Sequence, residues 1–299
     1  MKSLTALPDT GPTWIEQGVL FSAADAPLPT IYWPWLVDTA GIPNAGPRWR
    51  LYFSTNHDLG AGGIMLATAD TVTGPWTQQG VIYTDTVAGS QTETPAVVWV
   101  PDTGLWHLYY QQSGVGVNQS TLLATSTDGL SWTRVGVVID IVPGTVPGDG
   151  HTGYAIPHRL PGGRWIAYHL MGGTSWPHFG QSRSADGIVW QVDGRPLGYT
   201  THLVPPGMRT EWNTGYVIQR GAGLWWVGML SNFTSGGGAK SAIVAQAPIG
   251  PDLRTLLAPP ATILPAGDHQ TINVTTDTDG ATWLIYQLGD VFHLMRGSE

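Results

Sequence analysis

The sequence predicts an all-β chain closed into a five-bladed propeller, with four antiparallel strands in each blade. Three observations carry that reading. A tryptophan-led apolar segment occurs five times, as RWRLYFST (48–55), LWHLYYQQ (105–112), RWIAYHLM (164–171), LWWVGMLS (224–231) and TWLIYQLG (282–289). The spacings between Trp49, Trp106, Trp165, Trp225 and Trp283 are 57, 59, 60 and 58 residues, and a repeat of this period marks a radial array of small sheets. The composition agrees: 40 Gly, 23 Pro and 15 Trp with 11% charged residues describe many short strands joined by tight turns.

The elements follow in order. TWIEQGVLF (13–21), PWTQQGVIY (75–83), SWTRVGVVI (131–139) and VWQVDGRPL (189–197) read as outer strands, with LRTLLAPPATIL (253–264) as a weaker relative in the fourth repeat. GIMLATAD (63–70), TLLATSTDG (121–129) and SAIVAQAP (241–248) supply third strands. IYWPWLV, TPAVVWV, GYAIPHRL, GYVIQR and TINVTT supply first ones. PDTG, PGG and TDGLS are hairpin turns, and STDGLSW (126–132) and SADGIVW (184–190) read as Asp-Gly hairpins stapled by the following Trp. The whole chain is expected to be one domain, with blades at about 30–85, 93–140, 151–200 and 210–265. The last repeat stops after three strands, so residues 13–21 are expected to complete blade 5 (269–299) and remove an open sheet edge.

Composition excludes several classes. The net charge is −8 with no basic run, which argues against a nucleic-acid partner. Cysteine is absent, so disulfides and thiolate metal sites are ruled out. No apolar stretch of 18 residues exists, so no membrane-spanning helix is expected. The N-terminus shows no signal-peptide core, which leaves a cytoplasmic protein or one whose leader has been removed.

First strands line a propeller's channel and begin at one mouth, and ligand sites favour such concavities. Counting back from each repeat tryptophan brings Glu93, His151, Glu211 and His269 to that mouth, with Tyr32 and Trp33 on the remaining side. The facing loops add His57, Asp58, Trp176, His178 and Asn232. Carboxylates, imidazoles and indoles that break the packing period (Trp33, Trp176, Trp212) together suit a carbohydrate: acid–base work on a glycosidic oxygen and stacking on sugar C–H faces. Burial beside Trp212 would raise the pKa of Glu211 and Arg209 would lower it. Glu93 is the second carboxylate, base or nucleophile. The separation of the pair would decide between inversion, at about 6.5–9.5 Å, and retention, at about 5–5.5 Å.

The pattern resembles the five-bladed glycosidases, in particular glycoside hydrolase family 43 and its arabinanase, xylosidase and fructosidase relatives. The resemblance runs along nearly the whole chain. It is carried by ATADTVTGPWT (67–77), ETPAVVWVPDTGLWHLYYQ (93–111), TEWNTGYVIQRGAGLWW (210–226) and AGDHQT (266–271). It implies a hydrolase degrading an arabinoside, xyloside or other furanoside polymer, with Glu211 as general acid. It also implies that His269 lies on the axis, where it would help hold calcium or another metal ion, no cofactor being otherwise required. The family's first-blade aspartate is displaced, Asp25 in DAPLP being the nearest carboxylate, and His151 stands where a third-blade aspartate is expected. The displaced aspartate favours one rival, a non-catalytic carbohydrate-binding propeller of a surface or phage-tail kind. The absence of a visible leader and of cysteine leaves room for another, a propeller enzyme with lyase or cyclase chemistry on a small molecule.

Overall fold

Each tryptophan-led segment forms the second strand of a four-stranded antiparallel sheet in the computed structural model. The structure describes residues 11–25, 30–55, 62–87, 91–113, 118–141, 150–172, 177–194, 209–233 and 241–298. Strand β1 is Trp14–Ser22. Blade 1 follows as β2 (Ile31–Asp38), β3 (Trp49–Thr55), β4 (Gly63–Ala69) and β5 (Thr77–Tyr83). Blade 2 is β6 (Gln91–Val100), β7 (Leu105–Ser113), β8 (Thr121–Ser126) and β9 (Thr133–Ile139). Blade 3 is β10 (Ile156–Arg159), β11 (Trp165–Gly172), β12 (Pro177–Ser184) and β13 (Trp190–Gly194). Blade 4 is β14 (Arg209–Arg220), β15 (Gly223–Phe233), β16 (Ser241–Pro248) and β17 (Ala261–Gly267). Blade 5 is β18 (His269–Thr276), β19 (Thr282–Leu288) and β20 (Val291–Gly297), and β1 pairs outside β20 from Trp14–Gly297 to Ser22–Val291. The inner strands β18, β2, β6, β10 and β14 each touch the next around the ring, so the five sheets close.

Two sequence expectations shift. In LRTLLAPPATIL the strand begins only at Ala261, because Pro259 and Pro260 offer no N–H to a ladder. Leu253 instead turns, with φ 56°, and its carbonyl accepts the Tyr168 hydroxyl. In the fourth repeat the tryptophan facing the preceding blade is Trp226, packed on Tyr168 and Phe179 at 5.0 and 5.3 Å, whereas Trp225 joins the blade 4–blade 5 core.

Second strands are buried on both sides, since each blade packs against two others. The tyrosine three residues after the repeat tryptophan adds an inter-blade tie. Tyr52, Tyr109 and Tyr168 donate to the carbonyls of Gly129, Gly187 and Leu253, each in the third-to-fourth-strand turn of the next blade. Those turns in blades 2 and 3 are built alike. Asp128 accepts from the amides of Leu130 and Ser131, Asp186 from those of Ile188 and Val189, and Gly129 and Gly187 take φ 72° and 77°. Tyr109→Phe removes one 2.6 Å buried bond and is expected to cost about 1 kcal/mol in urea unfolding, with an unchanged dependence on denaturant concentration.

Candidate functional site

The inner strands of blades 1, 2, 4 and 5 enter the ring through a bulge, and the bulge sets the mouth. On β2 the pairing jumps from Tyr32–Ser54 to Trp35–Tyr52, on β6 from Glu93–Gln111 to Ala96–Tyr109 and on β18 from His269–Leu288 to Ile272–Tyr286. On β14 the jump falls between Trp212–Leu230 and Thr214–Met229, so that Glu211–Ser231 stands at the same interval from Thr214–Met229. On blade 3, Ile156 pairs Tyr168 and the Gly153 carbonyl accepts the Leu170 amide, so Gly153 holds the matching place. Tyr32, Glu93, Gly153, Glu211 and His269 are therefore equivalent positions of the five blades, and Glu93 and Glu211 share one face of the ring.

Counting back from tryptophan put His151 at this level. The hairpin joining first and second strands differs in length between blades, since Arg159 pairs Trp165 but Trp99 pairs Trp106. His151 lies two residues earlier than Gly153 and is buried, its Nδ1 accepting the Gly153 amide at 3.0 Å.

Glu93 has no exposed surface, and Gln111 Nε2 donates to its Oε2 at 3.4 Å. Beside them is Tyr154, whose phenol is pushed well above its ordinary pKa by burial first and by the Glu93 charge second, with the Gln111 side chain opposing as a hydrogen-bond partner. Across the axis Tyr154 meets Trp33, ring centroids 5.7 Å apart and nearly perpendicular, and Tyr32 flanks Trp33 at 5.3 Å. Beneath the rings an axial cavity is lined by residues of all five blades, among them Trp35, Thr94, Thr214, Tyr216 and Gln270.

His269 holds the matching register place on blade 5, pairing Leu288 before Ile272 pairs Tyr286, while its side chain is turned to other partners. Its Nε2 lies 3.1 Å from the Pro265 carbonyl and its ring packs edge-on against Tyr286, while Gln270, Thr271 and Ile272 line the axial cavity. Burial lowers its pKa. Among the described residues no three His, Asp or Glu side chains come together as a metal site, and the axial lining is neutral.

Asp25 is also elsewhere. It ends a short 3-10 turn after β1 with its side chain exposed, and its carbonyl accepts Gln78 Nε2 on the outermost strand of blade 1. The chain there is crossing from the rim of blade 5 toward blade 1, which leaves Asp25 at the rim. His57, Asp58 and Trp176 lie outside the described residues, as do the side chains of His178, Arg209, Glu211, Trp212 and Asn232, whose strand positions alone are fixed.

Tyr154, Gln111 and Gln287 were not anticipated. Gln287 accepts the Trp33 amide at 3.3 Å and donates to Gln270 at 2.9 Å. A signal for Gln287 was there, as the one amide in the run WLIYQL (283–288), whereas Gln111 opens the polar end of LWHLYYQQ.

A closed ring of five blades with carboxylate positions and aromatic rings at one mouth makes the chain a propeller resembling the glycosidases of family 43. No family model matches the sequence. A protein of Aspergillus clavatus described as a probable arabinan endo-1,5-alpha-L-arabinosidase C is 29% identical over 149 residues, 45% of this chain and 42% of that protein. The match thus spans less than half of that relative's length. The endo-arabinase of Bacteroides thetaiotaomicron superposes with a TM-score of 0.67 at 13% identity, over 94% of this chain and 97% of its own. A thermostable family-43 glycoside hydrolase superposes at 0.59 and 13% identity, over 89% of each chain. At that identity the superpositions speak for the fold.

Proposed function

We propose that the protein is a glycoside hydrolase acting on arabinan-type polysaccharide at the channel mouth. The observation that carries this is the equivalence of Glu93 and Glu211 at the bulges of two inner strands of one closed ring. Glu211 is the general acid, delivering a proton to the leaving glycosidic oxygen. Glu93 is sealed beneath Gln111 and Tyr154, and a group without exposed surface does not itself meet the anomeric carbon. This revises its expected part as base or nucleophile. The partial sequence match to a probable arabinan endo-1,5-alpha-L-arabinosidase supports arabinan as the polymer.

The test is release of reducing ends from linear arabinan and from xylan by purified protein, repeated with Glu211→Gln. Hydrolysis of arabinan is expected, with kcat in the variant lower by at least about a hundredfold and the thermal midpoint retained. Undiminished turnover in Glu211→Gln would remove the assignment. A second reading, carbohydrate binding without hydrolysis, is favoured by Tyr32 occupying the blade 1 mouth position and Asp25 lying at the rim. Oligosaccharide binding by calorimetry without any product would select it.

A further inference from the structure

We propose that Tyr154 is a substrate-positioning residue, its ring pairing with that of Trp33 to form the apolar wall on which a sugar ring of the substrate lies. The proposal rests on the reading of the mouth as a carbohydrate site.

Trp33 belongs to blade 1 and Tyr154 to blade 3, which are not neighbours in the ring, so their contact spans the axis. Both take left-handed backbone, with φ 52° and 57°. An aromatic residue held there is strained, and such strain clusters where geometry serves a ligand. Thr94, at the matching place on blade 2, has φ 54°, so the conformation belongs to the mouth of the repeat, and blades 1 and 3 are the ones that fill it with rings.

The surroundings fix both rings. A Cβ on Gly153 would overlap the Gln111 carboxamide oxygen, so blade 3 gives up its mouth side chain where blades 1, 2 and 4 carry Tyr32, Glu93 and Glu211. Gln111 fills that space and, with Glu93, surrounds the Tyr154 hydroxyl, while part of the Tyr154 residue surface stays open. Trp33 and Tyr154 both line the axial cavity, where a sugar ring can reach them. Trp33 is pinned through its amide to Gln287, which also donates to the Ile31 carbonyl and to Gln270. His151 backs the Tyr154 ring at 5.5 Å and Tyr32 backs Trp33. A wall held this way loses little side-chain freedom when a ligand arrives.

The experiment measures linear arabino-oligosaccharides by steady-state hydrolysis and by calorimetric binding, on the parent, Tyr154→Leu, Tyr154→Phe and Trp33→Leu. Tyr154→Leu is expected to raise KM and Kd about tenfold while kcat falls less than about threefold. Tyr154→Phe keeps the ring and is expected to return KM to within about twofold of the parent, a rescue that a purely structural role of the hydroxyl would not give. If Tyr154→Leu does not fold, Trp33→Leu carries the test with the same expected rise. Parent-like KM and Kd in whichever of the two leucine variants folds overturn the proposal, as does a Tyr154→Phe variant no better than Tyr154→Leu. A parent that binds without hydrolysing removes the hydrolase reading and leaves the binding arm to decide this one. A parent that neither binds nor hydrolyses removes both.

Discussion

Gly215→Ala is expected to destabilise the protein by more than about 3 kcal/mol, the largest single effect among conservative changes in the ring. Gly215 lies on the inner strand of blade 4, paired with Gly228, and a Cβ built there would fall inside the six-membered ring of Trp226. Trp226 has no room to yield: it is fully buried and wedged edge-on between Tyr168 and Phe179, which stack on each other at 5.5 Å. The backbone of Gly215 also bonds His158, so moving the strand instead breaks a second buried contact. A methyl group normally gains helix or strand entropy over glycine; here the overlap outweighs that gain several-fold. Guanidinium unfolding followed by tryptophan fluorescence reads the loss directly. A midpoint within experimental error of the parent would show that the blade 3–blade 4 seam is not close-packed. A Gly228→Ala variant is the informative companion, since Gly228 faces Gly215 across the same ladder.

The repeat made the ring legible because it is a packing signal: an indole every 57 to 60 residues, on strands buried from both sides, reflects contacts that every blade must make. The closing strand was legible for the same reason, the last repeat being one strand short. The mouth was legible only in part. Glu93 and Glu211 emerged because they are acids in an acid-poor chain. Their true equivalence depends on bulges and hairpin lengths that a fixed count does not follow, and so His151 took the place of Gly153. Glycine carries no side chain to suggest that space is being made for Gln111. His269 stands at the register position that the resemblance implied, with its ring packed on Tyr286 and its Nε2 beside the Pro265 carbonyl. In the fourth repeat the pair Trp225–Trp226 left two registers open, and packing on Tyr168 selects the second.

Acid is expected to weaken the fold through two buried histidines, above the range in which the carboxylates of lowered pKa titrate. His169 has no exposed surface; its Nδ1 lies 2.6 Å from the Leu170 carbonyl and its Nε2 2.8 Å from Ser182 Oγ. Donation from Nδ1–H to the carbonyl and acceptance from the serine hydroxyl define a neutral ring, and burial pulls its pKa down to about 4 against the Leu170 bond. His158, between Tyr168 and Tyr216, is lowered to about 4 by the same cause. The unfolded chain takes up those protons near pH 6.5 and the folded one only near 4, so stability is fully present above about 6.5 and is lost as pH falls through that window. For His169 the loss is about 3 kcal/mol when complete. The carboxylates run in a separate range. Asp38, Asp85 and Asp128 are all held below their ordinary value of 3.8, burial opposing and hydrogen bonds from Arg48, from Tyr110 and from the Ser131 amide prevailing, and their contribution is lost only below about pH 4. Urea unfolding at intervals between pH 7.5 and 4.5 should therefore show a falling free energy over a range in which no described carboxylate with a lowered pKa titrates. Replacing His169 by Gln, which keeps two hydrogen-bonding atoms and cannot take a charge at these pH values, should flatten that slope even if it lowers stability at neutral pH. A slope unchanged in His169→Gln would mean that protons enter elsewhere, and a stability flat from 7.5 to 4.5 in the parent would mean that the buried rings are protonated at no cost.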